Sequence, residues 1–233
     1  AVCAGLGLVW DDPLRTVRAF ANSGALALAV GLALWLPMRG EPEVSRRDGF
    51  GIVTFGWLAA SLVGALPFVW SGVIPSYAAA VFETMSGFTT TGASVIPALE
   101  TLPKGILFWR ALTHFYGGMG VLVLVVAILP LIGTGVMQLF RAEMPGPTKD
   151  RLTPRIAGTA KRLWLVYMSF VAVCAVLLRL GGMDWFDSVC HAFATVATGG
   201  FSTRNTSVGE LDLPAAEWVI SVFMLLAGMN FLL

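Results

Sequence analysis

Two short apolar stretches in this chain give way to glycine and threonine where a membrane-spanning helix would have to continue. The first, FETMSGFTTTGASVIP, covers Phe82–Pro97; the second, HAFATVATGGFSTRN, covers His191–Asn205. Around them lie apolar runs long enough to cross a bilayer, which takes about 20 residues at ~1.5 Å each. These runs are Ala19–Pro37, Phe50–Trp70, Ile106–Pro130 and Leu163–Leu180, and Ala215–Leu233 begins a fifth. Residues 1–10 read as the tail of an earlier span. The segments Tyr77–Pro97 and Asp184–Thr203 are too short in apolar length to cross. Bare backbone in hydrocarbon costs several kcal/mol per unpaired group. Each segment is therefore expected to be a re-entrant helix followed by an extended loop, buried in protein or facing water.

The composition agrees with an all-α integral membrane protein. The 233 residues are 57% hydrophobic and 12% charged, against about 25% charged in soluble domains. A net charge of +1 gives no reason to expect a nucleic-acid partner; membrane lipid is the expected surroundings. Cys3, Cys174 and Cys190 lie in apolar segments without CxxC spacing and read as packing residues. Arg39, Arg46 and Arg47 follow the first full span, and Arg141, Lys149, Arg151, Arg155, Lys161 and Arg162 follow the third. The positive-inside rule places both clusters in the cytoplasm and the two Gly/Thr loops on the outer side. The expected organisation is N-terminal transmembrane helices over 1–38 and a cytoplasmic loop over 39–48. A first pore repeat follows over 49–130, then a basic cytoplasmic linker over 131–160 and a second pore repeat over 161–233.

The two loops align at an offset of 108 residues: Tyr77 meets Trp185, Glu83 meets His191, and Thr90, Gly92 and Ser94 meet Thr198, Gly200 and Ser202. The unit of span, short helix, Gly/Thr loop and span thus occurs twice, as internal repeats do in transport proteins. Two spans per unit return the chain to its starting side. Both copies should point the same way, around an axis along the membrane normal. A loop whose carbonyls face inward can replace the hydration shell of a cation. Gly92 and Gly200 allow the backbone angles this requires, and Thr90 and Thr198 add hydroxyl oxygens. The short helices would end near the ion, with a C-terminal partial charge that favours a cation. No carboxylate ring lies in either loop, which favours a monovalent ion over Ca²⁺ or Mg²⁺.

Glu83 and His191 hold matching places in the short helices and are expected to support the loops from behind, an ionisable residue at membrane depth being a functional candidate. His114 has no ligating residue at i+3 or i+4 and reads as a packed or hydrogen-bonded histidine. Trp109 and Arg110 read as interfacial anchors at the outer end of the third span. GGMG, Gly117–Gly120, lacks the Lys-Ser/Thr of a phosphate loop and reads as a close helix contact. An intramembrane enzyme would need Ser86, Ser94 or Ser202 paired with His114 or His191. No nucleophile-elbow pattern supports that pairing, so no enzyme is expected. A non-conducting assembly module is the other alternative.

The stretches FETMSGFTTTGAS and ATVATGGFSTRN resemble the first two pore loops of the Trk/Ktr potassium transporter family, its TrkH-like subunits in particular. GGMGVLVLVVAILP and RAEMPGPTKDRLTPRIAGTAKRLW are similar to segments that follow the first pore loop in that family. The resemblance implies a potassium-channel-like fold of four span–loop–span repeats around one pore, in the multi-pass inner membrane of a bacterial-type cell. It implies potassium uptake with no cofactor and with K⁺ as the transported ion. The implied filter is Thr90, Thr91, Gly92, Ala93 and Ser94 with Thr198, Gly199, Gly200, Phe201 and Ser202; the carbonyls of Thr90, Thr91, Thr198 and Gly199 would hold K⁺. Ala93 and Phe201 stand where the channel pattern has tyrosine, so a weakly selective Na⁺/K⁺ transporter of the same family is an alternative. The sequence starts with Ala and stops in an apolar run, and is expected to be roughly the first half of such a protein. The remaining two repeats, from the missing half or a second chain, would complete the ring, with a homodimer expected. A cytoplasmic nucleotide-binding regulatory subunit is implied as a partner, with Arg141–Arg162 as a docking candidate.

Overall fold

The computed structural model describes residues 2–36, 46–128 and 156–229, all of which fold as helices and connecting loops. The helices are α1 (Val2–Val9), α2 (Leu14–Trp35), α3 (Arg46–Gly64), α4 (Leu66–Ser71), α5 (Tyr77–Phe88), α6 (Lys104–Ile128), α7 (Ile156–Leu180), α8 (Trp185–Val196) and α9 (Pro214–Ala227), with a 3-10 turn at Ser207–Leu211. Among the described residues, Leu14–Trp35, Thr54–Ser71 and Lys161–Leu180 are long and apolar enough to span a membrane. At 25 residues, α6 has a length of about 37 Å. Leu28, Leu32, Phe55, Leu165 and Val173 stand exposed on the long helices, the pattern of a surface that meets lipid rather than water.

The expected span Phe50–Trp70 falls into two helices, α3 and α4, divided at the single residue Ala65. α3 starts earlier, at Arg46, and ends at Gly64; α4 resumes at Leu66 with Pro67 in its first turn. Proline has no N–H to continue the ladder, and its ring crowds the carbonyl four residues back, which explains the break at Ala65. Arg39, Pro130, Arg141, Lys149, Arg151 and Arg155, on which the expected orientation and linker largely rest, lie outside the described residues.

The short helices α5 and α8 are each 12 residues and sit 108 residues apart at both ends. Their N-caps also correspond. Ser76 accepts from the Ala79 N–H, and Asp184 accepts from the Asp187 N–H, satisfying one orphan donor in each first turn. α5 packs against α3 and α6, while α8 packs against α7, α9 and, across the repeat boundary, α6. The core between them contains Phe68, Ile106, Phe115, Tyr167, Cys174 and Leu178. The three cysteines are buried free thiols.

GGMG lies inside α6 at the close approach read from its glycines. A Cβ on Gly117 would overlap the Phe88 carbonyl, and one on Gly118 would meet the Tyr167 hydroxyl at 2.8 Å. Gly118→Leu is therefore expected to destabilise the protein by about 1–3 kcal/mol through overpacking, read as a lower unfolding temperature in detergent. At the other end of α6, Asp12 acts as a cap from far away in sequence. Its carboxylate accepts from the Lys104 N–H at 3.0 Å and the Gly105 N–H at 2.8 Å, placing negative charge at the helix N-terminus.

Candidate functional site

The Gly/Thr loops follow α5 and α8 with the same backbone course. Thr90 and Thr198 have φ of 53° and 54°; Gly92 and Gly200 have 77° and 87°. Thr91 and Gly199, between them, are not left-handed. Glycine takes the left-handed position freely, whereas threonine pays roughly 1–2 kcal/mol. The same penalty at the same place in both loops points to a geometry held for use rather than for stability.

Hydrogen bonds from the short helices hold these bends. The Thr90 N–H reaches the Gly87 carbonyl at 3.0 Å and the Thr91 N–H the Ser86 carbonyl at 2.9 Å; the Thr198 N–H reaches Thr195 at 3.0 Å and the Gly199 N–H reaches Ala194 at 2.8 Å. Every one of these pairs has its counterpart 108 residues away. The donors in each loop thus turn back to the helix end.

Glu83 and His191 reach the far ends of their loops. The Glu83 carboxylate accepts from the Ser94 hydroxyl at 2.9 Å and the Val95 N–H at 2.9 Å. His191 Nε2 lies 3.0 Å from Ser202 Oγ, and its Nδ1 lies 2.8 Å from the Asp187 carbonyl. The carbonyl requires the proton on Nδ1, so Nε2 of the neutral ring accepts from Ser202. In turn, Ser94 Oγ accepts from the Ile96 N–H and Ser202 Oγ from the Arg204 N–H. Different side chains, a carboxylate and an imidazole, thus perform the same task in the two repeats.

The loops also meet each other. The Gly199 carbonyl oxygen occupies the place where a Cβ on Gly92 would sit. Beyond this meeting point, the Leu99 N–H donates to Asn205 Oδ1 at 3.0 Å, and Asn205 donates twice to Glu100 at 2.6 Å. The Asn205 backbone N–H beside the Glu100 carboxylate holds its pKa below the usual 4.5. A carboxylate with a depressed pKa contributes fully above its unfolded value and loses that contribution as pH falls through the folded one. The unfolding-temperature difference between the parent and Glu100→Gln should persist at pH 4.5 and fade only below it.

Two readings of single residues need correction. Arg110 is no interfacial anchor: it is 2% exposed and bound on all sides. Its Nε donates to Glu83 at 2.8 Å, one terminal nitrogen to the Ser202 carbonyl at 3.0 Å and the other to Ser94 Oγ at 3.1 Å; its plane covers the Phe201 ring at 4.2 Å. Trp109 is half-buried against Phe20 and Phe88, and its Nε1 donates to the Gly64 carbonyl at 3.0 Å. The signal for Arg110 was present in Glu83, since a carboxylate at membrane depth calls for a cation nearby. His114 is packed, stacked on Phe201 at 4.1 Å, and among the described residues neither ring nitrogen has a hydrogen-bond partner. Neither ring nitrogen of His114 meets Ser86, Ser94 or Ser202, whereas Ser202 Oγ lies 3.0 Å from His191 Nε2.

A family model for TrkH, a cation transport protein, matches residues 16–233. This chain belongs to the TrkH family. It is 49% identical over 217 residues to the Trk system potassium uptake protein TrkH of Escherichia coli strain K12, covering 92% of this chain and 45% of that protein. It is 44% identical over 194 residues to the potassium uptake protein TrkG of the same organism, covering 82% and 40%. The crystal structure of the potassium transporter TrkH from Vibrio parahaemolyticus superimposes with a TM-score of 0.86 at 40% identity, covering 99% of this chain and 46% of that one. The chain therefore spans somewhat less than half the length of these TrkH-family relatives. Membership places it among transport proteins, and the all-helical membrane architecture follows the same family.

Proposed function

We propose that this chain contributes two pore loops to a K⁺ uptake path across a bacterial inner membrane. The observation that carries the reading is the pair of loops with one backbone course, brought together at Gly92 and Gly199. K⁺ would enter from the outer side and exchange water for the carbonyls of Thr90, Thr91, Thr198 and Gly199. Neutral oxygens and two helix C-termini favour a monovalent cation. The membrane potential would drive entry, at ~2.3 kcal/mol per charge per 100 mV. Two loops cover only part of an ion's surroundings. Two further loops, from the remainder of a longer polypeptide or from a second copy, would close the ring. A nucleotide-binding cytoplasmic subunit that meets the basic segment between Arg141 and Arg162 fits the same reading, as the relatives are described as parts of a Trk system.

The test is Rb⁺ and Na⁺ flux into liposomes that carry the chain, alone and joined to two further repeats from a TrkH-family relative. Rb⁺ flux above Na⁺ flux, lost in Gly200→Asp, is the expected result. Equal flux of both ions would favour the weakly selective Na⁺/K⁺ reading, for which Ala93 and Phe201 at the tyrosine positions speak. No flux from either form would leave the assembly-module reading standing.

A further inference from the structure

We propose that Arg110 is a positioning residue that locks the second pore loop to the first short helix, and thereby sets the gap between the loops on which ion discrimination depends. The proposal deepens the pore reading and rests on it for its second half.

The geometry is a bridge between repeats. On one side, Arg110 donates to Glu83 of α5 and to Ser94 at the end of the first loop. On the other, it donates to the Ser202 carbonyl at the end of the second loop and lies on the Phe201 ring. All three guanidinium nitrogens are used. The planar fork spreads its donors over three nitrogens in a fixed geometry, a reach that the three donors on a single ammonium nitrogen do not reproduce. Glu83 neutralises the charge within 2.8 Å, so the bridge adds no net repulsion to a nearby cation. Arg110 thus spans the two loop ends while Gly92 and Gly199 meet between them.

The second repeat lacks an equivalent. At the 108-residue offset Arg110 meets Trp218, which is 74% exposed, and Glu83 meets His191. The second repeat's own pair, Arg204 with Asp187 at 3.2 Å, stays within that repeat. The bridge is therefore a feature of the seam between repeats one and two, not of each repeat.

One consequence separates a bridge from a general packing role. Among the described residues, Glu83 has no hydrogen bond to the second loop. Changing Glu83 should still loosen that loop, but only through Arg110. The experiment is hydrogen exchange of the chain in detergent, followed over residues 198–204, where Thr198, Gly199 and Arg204 have hydrogen-bonded amides. Glu83→Gln and Arg110→Lys are each expected to raise exchange there roughly tenfold, as for the loss of one charge-assisted hydrogen bond. The double variant should exceed either single one by no more than about twofold, because both act on one link. Exchange within α7 should stay at the parent level, which shows that the variants fold. Unchanged exchange in the loop for Glu83→Gln, or additive effects in the double variant, would overturn the bridge.

The second measurement is the Rb⁺ to Na⁺ flux ratio of the same variants in the form that carries flux. A lower ratio in Arg110→Lys supports the role in discrimination. A loosened loop with an unchanged ratio would overturn that role. Absence of cation flux in the parent would count against the pore reading itself, while the exchange data would still decide whether Arg110 links the loops.

Discussion

Gly92→Ala should abolish cation flux, whereas Gly200→Ala should keep a measurable part of it. Both positions are left-handed, with φ of 77° and 87°, so alanine costs roughly 1–2 kcal/mol of backbone strain at either. The surroundings then separate them. At Gly92 the new methyl would overlap the Gly199 carbonyl oxygen, a backbone atom held in place by the Gly199 N–H bond to Ala194. Relief requires the two loops to move apart, and a carbonyl ring that widens by a fraction of an ångström no longer fits one ion. At Gly200 a Cβ meets nothing within 4 Å among the described residues. Only the strain remains, and the loop keeps its distance from its neighbour. Rb⁺ flux into liposomes, normalised to folded protein, is the measurement. Equal loss in the two variants would mean that left-handed strain, and not the meeting of the loops, decides function.

The contrast also shows what the sequence could and could not convey. Gly92 and Gly200 stood out because glycine and threonine interrupt apolar segments, and the 108-residue offset made them a pair. The offset carried the limits of α5 and α8 as well, since residues that repeat together fold together. Left-handed Thr90 and Thr198 were not legible. A β-branched residue gives no local sign of that conformation, and the hydrogen bonds back to Gly87, Ser86, Thr195 and Ala194 that hold it are not visible in the sequence. The break at Ala65 was readable in principle, because Pro67 sits inside the apolar run. The cap that Asp12 places on α6 was not, as 92 residues separate Asp12 from Lys104. Arg110 lies between these cases. A lone arginine near the end of an apolar span resembles an anchor until its partner is named, and that partner is 27 residues earlier on another helix.

Glu83→Leu should lower stability by about 3–5 kcal/mol, the cost of leaving a buried charge without its partner. Glu83 is 1% exposed and Arg110 2%, so water cannot replace the lost contact. The change removes the acceptor for Arg110 Nε, the Ser94 hydroxyl and the Val95 N–H together. For a chain of this size that corresponds to a fall of about 6–20 °C in unfolding temperature. Arg110→Met should cost a similar amount for the converse reason, as it leaves the carboxylate buried. Joining the two changes should cost less than their sum, because neither charge then remains unpaired. The Ser94, Val95 and Ser202 groups would still lack partners, so the double variant should not regain the parent's stability. Thermal unfolding in detergent of the four proteins checks this cycle. Strict additivity would mean that Glu83 and Arg110 contribute separately, and that the short contact between them carries no coupling.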